Sequence, residues 1–316
     1  MKNIIKAAAA AAVLGISAAT ASFADGHGWK PEGPISLIIA FTAGGGTDTQ
    51  ARLIADDMAA ATGWEIIPEQ VTGKGGLNAV VELKNRPNDG TAIAMIVTET
   101  LGYNAATSNA GVTPSDVTAL TTTAVFQLGL VAKSDKGWTS VEDMVAAAKG
   151  GETLRFGAMS PKLADLAFLL AEAQGIEFNI INVKGGKAVM NGVQAGDMDL
   201  GWMAGIQSKG VASGDLVNLA SGLGRPLVQT PDAPTMADLG VPFNADGYWV
   251  FVAPAGLPDD ARAALTDALS TAATTGKASE MIEGRLGGHV VIQGAELDAL
   301  LQADFDSAGA LRDAVE

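Results

Sequence analysis

Apolar residues recur along this chain in two rhythms. Ile35-Ser36-Leu37-Ile38-Ile39-Ala40-Phe41 is a nearly continuous apolar run of strand length, the pattern of a strand covered on both faces. Thr42-Ala43-Gly44-Gly45-Gly46 interrupts it. Apolar positions then fall at helical spacing over 48–61, with Ala51, Ile54, Ala55 and Met58 on one face and Gly63 placed to end the helix. A strand over 64–67, a loop with Gly73, Gly75 and Gly76, a helix over 77–84, a Pro87-Asn88-Asp89-Gly90 turn and an alternating strand over 91–98 continue the pattern. It resumes with strands over 126–132, 154–158 and 178–183, alternating with helices over 140–149, 163–174 and 188–195. Short strands over 199–203 and 217–220 precede a segment crowded by Pro226, Pro231, Pro234 and Pro242. A strand over 248–253, helices over 258–275 and 279–284, a strand over 290–293 and a long amphipathic helix over 296–315 complete the chain.

This alternation predicts an α/β fold of mostly parallel sheets flanked by helices. No internal repeat is visible. The proline-rich connector and the resumed rhythm predict two lobes joined by two crossings. Lobe 1 takes 25–124 with 243–316, and lobe 2 takes 125–242, connector included.

The first 24 residues read as a signal peptide. Lys2 and Lys6 precede an apolar run over 7–16, and Ser22-Phe23-Ala24 offers small residues for cleavage before Asp25, with Ala19-Thr20-Ala21 as a second site. The run is shorter than the roughly 20 residues of a membrane span. Export to the periplasm is expected.

Composition narrows the chemistry. Hydrophobic residues make up 48% of the chain, so it can build a packed core. The formal charge is −15, and removal of Lys2 and Lys6 takes it to −15 − 2 = −17. Nucleic acid, which requires a positive footprint, is not an expected partner. Cysteine is absent and only His27 and His289 are present, so disulfides, a thiol nucleophile and a multi-histidine metal site are excluded. No cofactor is expected, and a monomer is the default state.

The loop after the first strand carries the sharpest chemical signal. Gly44, Gly45 and Gly46 lie between a buried strand and a helix start. Glycine lets a ligand approach the backbone, and the first amides of a helix lack intrahelical partners and carry the positive end of the dipole. Such a bend suits an anion. Thr47 and Gln50 have the spacing of a capping box, and Asp48 lies in the first turn. The same features also describe a well-capped helix with no ligand. The bend is neither a P-loop nor a G-x-G-x-x-G turn.

Phe41-Thr42-Ala43-Gly44-Gly45-Gly46-Thr47-Asp48, followed by Ala51-Arg52-Leu53, resembles the first loop of the tripartite tricarboxylate transporter receptors, also called Bug-type periplasmic solute receptors. The Gly-rich segment over 69–76 and the turn over 87–90 are similar to stretches of that family. So are Lys184-Gly185, Ala195-Gly196-Asp197-Met198-Asp199, Pro234-Thr235-Met236-Ala237-Asp238-Leu239-Gly240 and Val252-Ala253-Pro254-Ala255-Gly256-Leu257-Pro258. Their order spans nearly the whole chain after the signal peptide. The resemblance implies a Venus-flytrap receptor whose two lobes close on a small organic acid. It further implies delivery to membrane permease subunits, one large and one small.

The resemblance places ligand contacts at Phe41, Ala43, Gly44, Gly45, Gly46 and Thr47 in lobe 1, and at Thr98 and Thr100 after the third strand. Glu99 between those hydroxyls departs from the family pattern. It would repel a dianion, pair with a ligand amine, or point away. The second-lobe loop departs most, since Met159-Ser160-Pro161-Lys162 is short and no histidine follows. Ser160 and Lys162 are its candidate donors. Met203, Tyr248, Trp202 and Trp249 are candidate lining residues, each of which equally suits lobe core.

Enzyme chemistry finds little support. No G-x-S-x-G is present, and Asp56-Asp57 and Asp259-Asp260 are adjacent pairs that do not share a helix face. The expected function is therefore a non-enzymatic periplasmic receptor for a small carboxylate. Two alternatives are an exported hydrolase with His289 as base, and a co-receptor presenting its ligand to a sensor.

Overall fold

A computed structural model describes residues 28–316; the segment 1–24, expected from the sequence to be a signal peptide, and His27 lie outside the described residues. In chain order the first half runs β1 (Ile35–Ile39), α1 (Gly46–Thr62), β2 (Ile66–Gln70), α2 (Leu77–Leu83), β3 (Ala92–Val97), α3 (Thr98–Leu101), α4 (Tyr103–Ala106), β4 (Val117–Val125), β5 (Leu128–Lys133), α5 (Val141–Lys149), β6 (Leu154–Ala158) and α6 (Pro161–Gln174). The second half runs β7 (Phe178–Asn182), α7 (Gly186–Ala195), β8 (Leu200–Ala204), α8 (Ser208–Ser213), β9 (Leu216–Ser221), β10 (Tyr248–Pro254), α9 (Asp259–Thr274), α10 (Gly276–Leu286), α11 (Gly294–Asp306) and α12 (Ala308–Val315).

The strands form two five-stranded sheets, ordered β2-β1-β3-β10-β4 and β7-β6-β8-β5-β9. Both have one design. Four strands run parallel, and the fourth position holds an antiparallel strand, β10 in one sheet and β5 in the other. Each sheet with its helices makes one lobe.

Apolar alternation explains the layers of lobe 1. Ile35, Leu37 and Ile39 pack with Ile54 and Met58 of α1 and Leu265 of α9, whereas Ile38 and Ala40 pack with Val80 and Leu83 of α2 and Leu297 and Leu301 of α11. β3 is buried along its whole length, as its near-continuous apolar sequence requires. Among the described residues no helix is long and apolar enough to cross a membrane.

Besides the short helices α3, α4 and α8, which the sequence pattern does not predict, three elements differ from the sequence expectation. β4 has no counterpart among the expected strands; it carries Thr118, Thr121, Thr122 and Thr123, and the last three are fully buried. Their hydroxyls find partners in Thr122 O, Val290 O at 2.7 Å and Gln50, which makes the burial affordable. The expected strand over 290–293 is reduced to an isolated bridge between Gln293 and Thr121, with a second between the preceding His289 and Ala124, along the rim of β4. The expected C-terminal helix is divided at Ser307, and its second half, α12, packs on α6 as well as α4.

The crossings are tied to each other. Phe126 N–H donates to Gly247 O at 3.0 Å, and Arg225 bonds Asp246 at 2.7 Å and Phe126 O at 3.0 Å.

Candidate functional site

β1 delivers the chain to a bend whose geometry only glycine adopts cheaply, with Gly44 at φ +73°. α1 begins at Gly46 with Gly45 as its N-cap, and its first backbone bond runs from Thr49 N–H to Gly45 O at 2.9 Å. The capping box expected from Thr47 and Gln50 does not form, because the helix starts before Thr47. Thr47 Oγ1 instead accepts Trp249 Nε1–H at 3.0 Å, and Gln50 accepts from Thr123. Asp48 holds the bend: its carboxylate accepts Gly44 N–H at 2.8 Å, Arg52 Nε–H at 2.8 Å and Gln70 Nε2–H at 2.9 Å. Burial raises the pKa of this carboxyl, but those bonds and the Arg52 charge outweigh it and hold the group below the usual range. The amides of Gly46 and Thr47 are left at the positive end of α1 without intrahelical acceptors.

That helix end lines a cavity of about 50 Å³ between the lobes. Lobe 1 contributes Phe41, Gly45, Gly46, Thr47, Val97, Glu99 and Trp249. The opposite wall is Met159, Leu163, Gly186, Ala204 and Ile206, and Phe126 and Leu128 stand at the first crossing. Gly186 is the first residue of α7, whose N-cap is Gly185. Two helix N-termini from opposite lobes therefore meet at one cavity, and each favours negative charge. Trp249 forms its floor, 2% exposed and edge-on to Phe126 with ring centroids 5.0 Å apart.

The lobes touch around this cavity. Thr42 Oγ1 donates to Lys184 O, Lys162 N–H donates to Asn104 Oδ1 at 3.4 Å, and Tyr103 bonds Asp165. A Cβ built on Gly46 would stand 3.2 Å from Ala204 O.

The sequence-predicted ligand residues separate into two groups. Phe41, Gly45, Gly46 and Thr47 line the cavity. Ala43 and Gly44 are exposed at its rim, where Gly44 borders a smaller recess with Arg285. The others are placed off the wall. Thr98 accepts Tyr248 N–H at 3.2 Å and bonds Asp304, and Thr100 donates to Gly75 O at 2.8 Å. Ser160 caps α6 by accepting Leu163 N–H at 3.3 Å. Lys162 borders a separate cavity of about 370 Å³ together with Glu99 and Asp304. Met203 is fully buried in lobe 2, and Trp202 donates to Leu163 O at 2.9 Å within the core. Tyr248 does not line the cavity, whereas Trp249 does.

One-residue offsets explain most of this. Neighbours in a strand face opposite ways, so Ala204 and Trp249 reach the wall while Met203 and Tyr248 turn from it. After β3 the chain winds into α3, so strand alternation no longer applies, and Glu99 lines the cavity between two hydroxyls committed elsewhere. Gly186 also belongs to the wall; its signal in the sequence is a second glycine pair, Gly185-Gly186, before a helix.

His289 does not line this cavity; it lies on the segment along β4. Its Nε2 meets both Ser279 Oγ at 3.0 Å and Glu283 Oε1 at 3.5 Å, and its Nδ1 is buried without a partner. A triad needs the acid on the nitrogen opposite the nucleophile, and this cluster puts both on one nitrogen.

Two α/β lobes around a cleft set with helix N-termini define the architecture of a two-lobed solute-binding protein. The chain belongs to the tripartite tricarboxylate transporter family receptors, whose pattern it matches over residues 50–311. It is 28% identical over 255 residues to the "UPF0065 protein in gbd 5'region" of Cupriavidus necator, covering 79% of this chain and 76% of that one. Its fold is that of the periplasmic binding protein BugD, with TM-score 0.81, 21% identity and coverage of 91% and 99% of the two chains. MatC from Rhodopseudomonas palustris with bound malate gives TM-score 0.77 at 20% identity, covering 91% of this chain and 100% of MatC.

Proposed function

We propose that this chain is an exported periplasmic receptor, monomeric and non-catalytic. It captures a small organic carboxylate between its lobes and delivers it to a membrane permease with one large and one small subunit. The observation that carries this reading is the meeting of the α1 and α7 N-termini at one interlobe cavity. Main-chain amides there offer a carboxylate hydrogen bonds without a desolvated cation, and Thr47 keeps a hydroxyl proton to donate while its oxygen accepts from Trp249. The malate held by MatC supports a carboxylate ligand, and family membership supports the permease partner. Signal-peptide removal after Ala24 and lobes of 25–124 plus 243–316 and of 125–242 complete the proposal. The arrangement at His289 favours a receptor over a hydrolase.

Binding only the folded form raises a melting point. The mature chain is screened by thermal shift and calorimetry against mono-, di- and tricarboxylates and amino acids. Saturable stabilisation by at least one acid is expected, and it should weaken when the α1 bend is altered. Failure of every acid to bind overturns the reading.

A further inference from the structure

Glu99 is 6% exposed and lines the interlobe cavity. Among the described residues lining that cavity it is the only one with an ionisable side chain. Its one hydrogen bond comes from Asn104 Nδ2 to Oε1 at a long 3.3 Å, and no ion pair reaches it among the described residues. Buried carboxylates are ordinarily paired or bonded several times over. Lys162 borders the neighbouring cavity with Glu99, but forms no ion pair with it, and its charge acts on Asp304. Leu128, Met159 and Leu163, which line the same cavity, carry no side-chain donor.

The cavity thus has an end that seeks an anion, at Gly46 and Gly186, and an acidic wall without a counter-charge. We propose that Glu99 selects a small monocarboxylate carrying a protonated amine, and rejects the dicarboxylate of equal length. The inference rests on the carboxylate-receptor reading and adds the class of ligand. The ligand's ammonium supplies the hydrogen bonds and counter-charge that Glu99 lacks, while its methylene body lies against the apolar walls. A second carboxylate in the same place would face Glu99 as a like charge.

The test uses matched probes on the mature chain: 4-aminobutanoate against succinate, and 5-aminopentanoate against glutarate, by calorimetry at neutral pH. At least tenfold tighter binding of the amino acid in one pair is expected. In Glu99→Gln that preference should collapse by tenfold or more, with dicarboxylate affinity improved. A Glu99→Asp variant, which keeps the charge, should retain the preference in weakened form, and melting curves show whether each variant is folded. Tighter binding of both dicarboxylates by the wild type, or a preference unaltered in folded Glu99→Gln, overturns the inference and leaves the receptor reading intact. If neither these probes nor any other organic acid binds, both fall.

Discussion

The Tyr103 hydroxyl donates to Asp165 Oδ2 at 2.6 Å, joining α4 of lobe 1 to α6 of lobe 2. Burial pushes the Asp165 carboxyl up, against the lowering effect of this bond, and burial with the Asp165 bond pushes the phenol well above its usual value. The pair fastens the lobes in the arrangement that encloses the cavity.

If the ligand acts by favouring that arrangement, any interlobe bond adds to apparent affinity. Tyr103→Phe is expected to weaken ligand binding about fivefold, the equivalent of one ordinary hydrogen bond. Calorimetry checks the affinity, and small-angle scattering of the ligand-free variant should show a larger radius of gyration than wild type.

Gly46 tests the cleft separately from stability. A methyl group there would meet Ala204 O at 3.2 Å and Trp249 Cζ2 at 3.8 Å. Gly46→Ala should bind about tenfold or more weakly, because overpacking falls on the closed arrangement. Its melting point should hold or rise slightly, since alanine suits the first turn of a helix better than glycine. An unfolded Gly46→Ala protein, or one with wild-type affinity, would contradict this placement of the bend.

Trp249 should report on the ligand. Its ring floors the cavity and its Nε1–H holds Thr47, whereas Trp29, Trp64, Trp138 and Trp202 do not line the cavity. Ligand addition is expected to change tryptophan emission in the wild type, and Trp249→Phe should abolish most of the change. Loss of the Thr47 partner should also lower affinity severalfold.

Acid stability should depend on Asp199. Its carboxylate accepts Lys136 Nζ at 2.6 Å, Arg155 N–H at 2.9 Å and Arg155 Nε at 3.0 Å. Burial raises this carboxyl, yet the bonds from Arg155 and Lys136 outweigh it and hold the group at about 2. The folded pKa lies below the unfolded value, so the stabilisation is complete above about pH 4 and is lost as pH falls toward 2. It amounts to about 2 kcal/mol. Asp199→Asn should be destabilised at pH 7 and show a shallower loss over that window, as read from denaturant midpoints.

Much of the fold was legible in residue order. β1 followed by α1 is announced by an apolar run, three glycines and a helical stripe, all local signals. β4 was not legible, because four threonines read as polar and their burial depends on partners such as Val290 O and Gln50, which are distant in sequence. The division at Ser307 was hidden by a continuous amphipathic pattern. In the site, the glycine bend was legible as the start of a helix with unpartnered amides because main-chain chemistry follows from local sequence. The contribution of lobe 2 was not. Which of Met203 and Ala204, or of Tyr248 and Trp249, reaches the wall is a matter of strand parity, fixed only when the sheet is assembled. Glu99 stood out as a departure, but its lack of a counter-charge emerges only when α3 turns it inward.

The antiparallel strand β10 interleaves the two halves of the molecule along the chain. β10, made after all of lobe 2's strands, is the strand that joins β3 to β4. A nascent polypeptide that has reached only Ser221 therefore owns every strand of the second sheet, while its first sheet is split into β2-β1-β3 and an unaccompanied β4. The half begun first is the half finished last, and no cut that leaves two contiguous pieces yields two whole lobes.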